Sequence, residues 1–495
     1  MGFAVVAPIC HSWGMSRRED PARYDGSVGE WWIAGDPESK FPGVLTRDRK
    51  RGWWTLKTLR KAGTPPELPH GVVTSGGIVY GETSAGPASL LHANVASYAT
   101  RSEFEKEAWV EYHSDEWHAF EVVLGGHHDA TTRWNSIGVE LPLAWDWMSP
   151  TVLEPRDKRV LHRELNESLE CRYGDLEIAL WRSATWSGSK SGEHLVGRAA
   201  YVFECVGGLS TDTIDQPLVA IRNLHEVLFG ARVRADTLRL SGPFGADPPG
   251  SFAEVSGARR VAPRLSLPDP YLSTGDIDFG DFLPRWIRLH VDSPSWPVFG
   301  RPNGSTGWVH TDVLEAISAL ESLAREHDEM SNPHESEHLL IRGATAHLPR
   351  AAKSRVEHLL RFDGPALADR LESVANLIGP ASARWLLGED LRAWANVVAR
   401  LRNLISHGGR SRSGAEHEPQ VVVAVLLAVR VVYQLAMLRL AGFTNRQDGE
   451  ATELLVDGAG HSVIGHPNSA LAHKFADVRA SRDAWKVWAD GLRPM

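Results

Sequence analysis

The sequence predicts an α+β multidomain protein in which a β-rich N-terminal region precedes an all-α helical bundle. The chain has 495 residues, which is too long for one compact core. Most of its 19 Trp residues lie in the first 300 residues, in short apolar runs typical of half-buried strands. After about residue 310, the apolar residues recur at helical spacing instead.

The first 150 residues read as strands and turns, and we assign residues 1–150 to a β-rich domain. "PGVLTRDRKRGWWTLKTL" consists of two apolar runs around a charged turn, which predicts a hairpin. "SGGIVYGET" predicts another short strand, and "HAFEVVLGGHHDATTRWNSIGVELPLAW" repeats the pattern.

Residues 151–308 continue this β-rich region. "LEIALWRSATW", "AAYVFECV" and "DTLRLSGP" are strand-like. One segment, 218–231, has helical spacing and predicts a helix among the strands. Residues 242–270 are rich in Pro and Gly, which predicts an exposed connection.

Residues 309–445 predict five helices with short connections, an all-α bundle. Thr311 and Asp312 are candidate caps of the first helix, and Pro349 is expected at the start of the second. The third helix lies in "GPALADRLESVANLIG", the fourth in "LGEDLRAWANVVARLRNLISHGG", and the fifth spans about 416–442. Residues 446–495 form a polar tail, in which "DAWKVWADGL" predicts a final helix.

The most apolar stretch, 421–443, resembles a membrane span at first sight. Arg430, Gln434 and Arg439 interrupt it, and central charges are costly in lipid. We therefore predict a buried amphipathic helix and no membrane association.

The N-terminal apolar run is too short for a signal peptide, and Cys10, Cys171 and Cys205 have neither disulfide-framework nor zinc spacing. These features predict a cytoplasmic protein. No nucleotide motif is present, and we expect no cofactor and no metal site.

The formal net charge of −9 excludes polyanion binding by bulk charge, so any nucleic-acid site must be a local basic patch. Residues 381–412 provide one: six arginines against Glu389 and Asp390 give a net charge of +4. Arginine suits phosphate because its planar fork donates two hydrogen bonds and stays charged. The six are Arg384, Arg392, Arg400, Arg402, Arg410 and Arg412.

The stretch "LRNLISHGGR" ends the predicted fourth helix. An apolar stripe at spacings of 3 and 4 predicts the packed face. Arg402, Asn403, Ser406 and His407 fall within a sector of about 140° on the remaining arc. Gly408 and Gly409 fit a left-handed C-cap, which places His407 at the helix C-terminus, where its protonated form is favoured. The stripe comprises Leu391, Trp394, Val398, Leu401 and Ile405.

The Arg-x4-His spacing is weak by itself, because it occurs four times in the chain. Context favours one of the four, since only the Arg402 pair combines an adjacent Asn, an apolar stripe, a Gly-Gly helix end and basic neighbours. The four pairs are Arg285/His290, Arg342/His347, Arg402/His407 and Arg412/His417.

"LRNLISHGG" resembles the Arg-Asn-x-x-x-His motif of HEPN domains, the helical domains of many RNases in microbial defence. "GEWWIAGDPESKFPGVLTRD", "GIVYGET" and "RWNSIGVELPLAWDW" resemble the N-terminal domain of ApeA-like (Apea-type) HEPN proteins of abortive infection, and "YLSTGDIDFGDFLPRWIRLHV" resembles the later part of that region. The resemblance covers most of residues 20–445, and the order of these segments is more specific than any one of them. Residues 155–260 and the tail after 445 lie outside it.

The resemblance implies metal-independent cleavage of RNA, with tRNA as a candidate substrate, at a composite cleft formed by two copies of the domain. It assigns His407 as the acid/base, Arg402 to the scissile phosphate and Asn403 to orienting one of them. Arg392, Arg400, Ser406, Arg410 and Arg412 are weaker candidates for RNA binding. Glu389 and Asp390 are candidate accessory acids, and an equal alternative is that they only cap the helix start.

The resemblance further implies a cytoplasmic anti-phage toxin that forms homodimers, with an N-terminal region that senses a phage-derived trigger. Two rival functions stay open. The HEPN domain could be a non-catalytic module that binds RNA or a partner. Alternatively, the β-rich half could be a carbohydrate- or protein-binding domain that the helices only dimerise.

Other histidine groups and the tryptophans are read as structural. His127, His128 and Asp129 in "GGHHDA" invite a metal interpretation, as do His334 and His338 at i, i+4. A solvated turn or strand faces explain the first group better, and a loop or helix start explains the second. His113 and His118 are better explained by a strand face. The clustered Trp residues could form a sugar-stacking platform, but core packing is favoured.

Overall fold

The computed structural model divides the chain into two compact units. Unit 1 comprises residues 1–222 and 233–266, and unit 2 comprises residues 223–232 and 267–495. The four-part division predicted from the sequence stays a prediction. The residues that the structure describes are 21–48, 53–61, 77–105, 108–119, 121–129, 131–141, 143–148, 162–189, 192–230, 237–243, 252–255, 270–292, 308–327, 335–361, 366–407, 419–443, 455, 470–483 and 485.

Unit 1 is built on one antiparallel sheet, to which the described residues contribute thirteen strands. Its strands are joined in the order β4-β1-β2-β3-β6-β5-β7-β13-β12-β8-β11-β10-β9. The strands are β1 Ser27–Ile33, β2 Phe41–Asp48, β3 Trp53–Lys61, β4 Gly77–Thr83, β5 Gly86–Glu105, β6 Ala108–Ala119, β7 Glu121–Leu124, β8 Trp134–Glu140, β9 His162–Tyr173, β10 Leu176–Ser189, β11 Gly192–Leu209, β12 Thr237–Pro243 and β13 Phe252–Val255.

A further pairing of β4 with β5 closes the first six strands of this order into a barrel-like ring. Alternate side chains fill its interior, because neighbouring residues of a strand point to opposite faces. Trp31, Trp54 and Trp117 are buried in that interior. The glycine at position 81 is needed here, since a Cβ would lie 2.3 Å from the Trp31 ring. The expectation that Trp residues mainly pack in cores is confirmed for these three.

The predicted hairpin is confirmed by the antiparallel pairing of β2 with β3. The predicted strands at β4, β10, β11 and β12 are also present. The helix expected at 218–231 begins earlier and spans Thr211–Phe229 (α2), after a short α1 at Ala144–Trp147. The boundary between the two units falls inside α2.

Unit 2 is helical. Helices α4 and α7 pack against each other and against both α9 and α10. Helices α3 and α11 contact α10, and α8 contacts α7, α9 and α11. The helices are α3 Phe279–Asp292, α4 Val309–His327, α5 Glu335–Ala344, α6 Arg350–Arg361, α7 Leu367–Leu377, α8 Pro380–Leu387, α9 Leu391–His407, α10 Pro419–Leu440 and α11 Ala470–Ala480.

The five predicted helices correspond to α4, α6, α7, α9 and α10, and the predicted fold class is confirmed. Helices α1, α3, α5, α8 and α11 were not predicted. Thr311 and Asp312 are not caps, because α4 begins at Val309. Asp312 is instead buried, with Oδ2 4.0 Å from Nη2 of Arg430. The expected final helix in "DAWKVWADGL" lies mostly outside the described residues.

Helix α10 is long and apolar enough to cross a membrane by length and composition alone, which is weak evidence for a span. In the structure, 83% of its most apolar 18-residue window is buried. It is therefore a core helix of unit 2. The expected amphipathic pattern is wrong, because consecutive residues from Val431 to Leu438 are all buried.

Candidate active site

Helix α9 is fixed in the bundle by the apolar stripe that the sequence predicted. Trp394, Val398 and Leu401 are fully buried, Leu391 is 8% exposed, and Ile405 near the end of the helix is half-buried. This face packs against α4, α7 and α8. The opposite face of the helix is thereby directed to the surface of unit 2.

The start of α9 is capped by Asp390. Its Oδ1 accepts a hydrogen bond of 2.8 Å from the backbone N–H of Ala393, one of the donors that a helix start leaves unpaired. Of the two interpretations for this residue, the capping role is the one that a contact supports. Burial lowers the pKa of Arg482, and the charge of Glu389 partly offsets this effect.

The last turns of α9 present the predicted polar residues. Asn403 and Ser406 are exposed, Arg402 is half-buried, and Arg400 is exposed two residues earlier. Nη1 of Arg402 donates a hydrogen bond to Oδ1 of Asn403 over 3.3 Å. Because the acceptor is a neutral amide, this bond orients the guanidinium without neutralising its charge.

His407 is the last residue of α9, four positions after Asn403 and therefore about 40° from it around the helix axis. The backbone thus places it beside Asn403 and one turn further along. The side chain of His407, the residues Gly408 and Gly409 of the predicted cap, and the RNA-binding candidates Arg410 and Arg412 lie outside the described part of the chain.

Arg392 lies near the other end of α9, ten residues and about 15 Å from Arg402. Its Nη1 contacts Oδ1 of Asp369 and lies 3.3 Å from Oε2 of Glu372, both on α7. The hydrogen bond with Asp369 is the largest cause that raises the pKa of Arg392, and Glu372 raises it further. Burial raises the pKa of Asp369, but the hydrogen bonds from Arg392 and from the backbone of Ala366, together with the charges of Arg392 and Arg370, outweigh it, and the pKa falls. In this structure, Arg392 joins α7 to α9.

The two other described Arg-x4-His pairs differ from Arg402 in their partners. Arg285 lies 3.5 Å from Asp281, and Arg342 lies 3.4 Å from Glu357. His290 contacts Asn223 at 2.8 Å, and burial lowers its pKa to about 4. A guanidinium beside a carboxylate has less net charge for an incoming phosphate. The fourth pair, Arg412/His417, lies outside the described residues.

The other histidine candidates make ordinary contacts. Nε2 of His127 lies 3.2 Å from the backbone oxygen of Gly81, and His128 packs edge-on against Trp134. Nε2 of His118 lies 3.3 Å from Glu116, and His338 is buried. Among the described residues, no group of three or more His, Cys, Asp or Glu side chains is arranged to hold a metal ion.

Sequence reasoning missed the carboxylates of Asp369 and Glu372. They lie 23 and 20 residues before their partner Arg392 and on another helix, so no local pattern links them to it. The available signal was their i, i+3 spacing, which puts both on one face of α7.

Two family models match the chain. The model described as ApeA N-terminal domain 1 matches residues 26–286, which is more than half of the chain. The match includes residues 155–260, so their exclusion from the family resemblance was wrong. The model described as Apea-like HEPN matches residues 314–447, a range that contains all of α9 and α10. No curated protein matches the chain, and no solved structure matches it.

Proposed function

The chain belongs to the ApeA-like HEPN family, and from this premise we propose that it is a metal-independent endoribonuclease whose site is the C-terminal end of α9. The family points to an anti-phage HEPN protein, and HEPN domains are typically nucleases. The main support for the proposal is the Arg402–Asn403 pair, in which the guanidinium is hydrogen-bonded to a neutral amide. The pair lies at the end of the helix whose last residue is His407.

The residue types suit cleavage at a ribose. A histidine in its neutral form takes the proton of the 2′-hydroxyl, whose oxygen then attacks the adjacent phosphorus. The P–O bond to the 5′-oxygen breaks, and a protonated histidine supplies that oxygen with a proton. Arg402 stabilises the additional negative charge on the phosphate oxygens. The products are a 2′,3′-cyclic phosphate and a 5′-hydroxyl.

This chemistry needs one base and one acid, while the motif supplies a single histidine, His407, per chain. A homodimer in which two α9 ends face one cleft provides both groups and doubles the positive charge around the phosphate. In such a dimer, the weaker candidates Arg400 and Ser406 lie beside the cleft, where they can contact the RNA backbone.

In the same proposal, the protein acts in the cytoplasm as a toxin of abortive infection, with tRNA as a candidate substrate. The β-rich unit regulates the helical unit after it senses a phage-derived trigger. The basic segment around α9 supports an RNA substrate, since it carries a net positive charge in a chain of net charge −9.

The test is induced expression of the wild type, Arg402→Ala and His407→Ala, with total RNA profiled for discrete new ends. We expect discrete fragments with the wild type alone. With purified protein and RNA, cleavage should persist in EDTA and leave 2′,3′-cyclic phosphate ends. Arg342→Ala and His347→Ala are matched controls, because this pair has the same spacing and both residues are exposed.

Absence of fragments from soluble, dimeric wild type, with or without phage challenge, would refute the nuclease proposal. RNA binding that survives His407→Ala would then favour a non-catalytic binding module. Full biological activity of residues 1–300 alone would instead favour a β-rich binding protein that the helices only dimerise.

A further inference from the structure

An aromatic cluster lies on the outer face of the sheet in unit 1. Trp32 and Tyr80 are direct cross-strand partners on β1 and β4, with ring centroids 6.1 Å apart. The ring of His127, from the segment after β7, lies 5.0 Å from Trp32 and 5.5 Å from Tyr80. Trp31, the neighbour of Trp32, points to the buried interior. We call Trp32, Tyr80 and His127 the Trp32 cluster; the first two are half-buried and the third is exposed.

Two carboxylates border this cluster on the same face. Glu30 and Glu82 are paired directly across β1 and β4, two residues from Trp32 and Tyr80. Their side chains are 70% and 55% exposed. Like charges opposite each other destabilise a strand pair, so this arrangement favours a cation between or beside them. Oε1 of Glu82 also lies 3.5 Å from Nε2 of His127.

The side chain of Lys40 already places a cation beside the Trp32 cluster. Nζ of Lys40 is 5.2 Å from the ring centroid of Trp32 and 3.9 Å from Oε2 of Glu30. An ammonium over an indole face is attracted by the ring quadrupole. At a site this exposed, both contacts are weak, because water screens the charges and the lysine side chain loses rotamer freedom. Lys40 can therefore be displaced by a competing cation.

The negative charge of the site disfavours anionic and neutral ligands. Glu30 and Glu82 border the Trp32 cluster, and the charge of Asp129 acts on Tyr80. Carboxylates repel the phosphates of a nucleic acid. Burial first, and then the charge of Asp129, raise the pKa of Tyr80, which keeps its phenol neutral. A neutral sugar stacked on Trp32 would displace Lys40 without replacing its positive charge beside Glu30.

We propose that the Trp32 cluster, together with Glu30 and Glu82, binds a lysine or arginine side chain of a basic peptide segment in a partner protein, and that Lys40 competes for the same position. The aromatic faces attract the cation, and the two carboxylates accept its hydrogen bonds. This site is independent of the proposed cleavage of RNA, because all of its residues lie in unit 1.

The test measures fluorescence anisotropy of a labelled nonapeptide of alternating Lys and Gly with the full-length protein at low salt. We expect saturable binding, weakened about fivefold by Trp32→Ala and by Glu82→Gln. Lys40→Gln should strengthen binding by about threefold, because it removes the internal competitor. Glu82→Gln changes one exposed side chain, so it keeps the test valid if Trp32→Ala fails to fold.

Trp109→Ala is the matched control, since Trp109 is 73% exposed on β6 of the same sheet. It should leave the affinity unchanged. Equal binding of a Glu/Gly nonapeptide, equal losses for Trp32→Ala and Trp109→Ala, or weaker binding by Lys40→Gln would each overturn the proposal. Binding of spermidine as tight as that of the peptide would overturn its assignment to a peptide segment.

Discussion

The guanidinium of Arg402 is hydrogen-bonded to the side-chain oxygen of Asn403, its neighbour in the chain, over 3.3 Å at the exposed end of α9. This partner is neutral, whereas Arg285, Arg342 and Arg392 are all paired with carboxylates. The bond restricts the long arginine side chain while its full positive charge stays available to an anion. This is the property that a phosphate-binding residue needs.

We therefore expect Asn403→Asp to reduce RNA cleavage more than Asn403→Ala. The aspartate would neutralise Arg402, while the alanine only frees it. Asn403→Ala should reduce the cleavage rate about tenfold, because one orienting hydrogen bond is lost. Asn403→Asp should reduce it about a hundredfold or more, because one charge that stabilises the transition state is neutralised. Single-turnover cleavage of one RNA measures both. Equal activities of the two variants would contradict the charge argument.

Mixed dimers test whether two chains share one cleft. Arg402→Ala and His407→Ala are each expected to be inactive alone, with losses of about a hundredfold or more. A cleft formed from one wild-type chain and one His407→Ala chain retains a single histidine and lacks either the base or the acid, so only pairs of wild-type chains should cleave. An equimolar mixture of these two proteins, unfolded together and refolded, should therefore keep about a quarter of the wild-type activity, against about a half if each chain cleaves by itself. A mixture that keeps half of the activity would argue against a shared cleft.

Arg392→Ala tests the ion pairs with Asp369 and Glu372. We expect the free energy of unfolding to fall by about 0.5–1 kcal/mol at low salt, which is typical of partly exposed ion pairs. The difference should shrink at 0.5 M salt, because ions screen it. Denaturant titrations at both salt concentrations measure the effect. Equal stability of wild type and variant at low salt would show that these contacts contribute nothing to the packing of α7 on α9.

The raised pKa of Glu121 on β7 predicts that the stability of unit 1 depends on pH. Burial first, and then Asp212 and Asp215, raise its pKa from 4.5 to about 7, although a hydrogen bond with Thr211 lowers it. The folded protein therefore holds this proton more tightly than the unfolded chain. The resulting stabilisation is complete below about pH 4.5 and is lost as the pH rises through about 7.

Relative to Glu121→Gln, which cannot ionise, the wild type should lose up to roughly 3 kcal/mol of unfolding free energy between pH 4.5 and pH 8. Denaturant titrations of both proteins at several pH values give the difference, which cancels the contributions of other titrating groups. Parallel pH profiles for the two proteins would show that Glu121 ionises normally in the folded state.

Local patterns in the sequence predicted much of the fold and part of the site. The β2–β3 hairpin and the apolar stripe of α9 follow from periodicity, which a strand or helix imposes on its own residues. Arg402 and Asn403 follow from the same periodicity, because residues on the face opposite a buried stripe must be accessible. The membership of the chain in its family agrees with the order of segments read along the sequence.

Tertiary structure alone decided which charges are paired. Arg392 and Arg402 lie on one basic helix and look equivalent in sequence, yet only Arg392 is held between two carboxylates of α7. Likewise, Asp312 has the pattern of a cap but is buried near Arg430. Trp31 and Trp32 are adjacent in the chain, yet one fills the interior and the other borders Lys40. The sequence determined the elements and their faces, because these depend on neighbours along the chain. The partners of each face depend on residues that only folding brings together, so they had to be read from the structure.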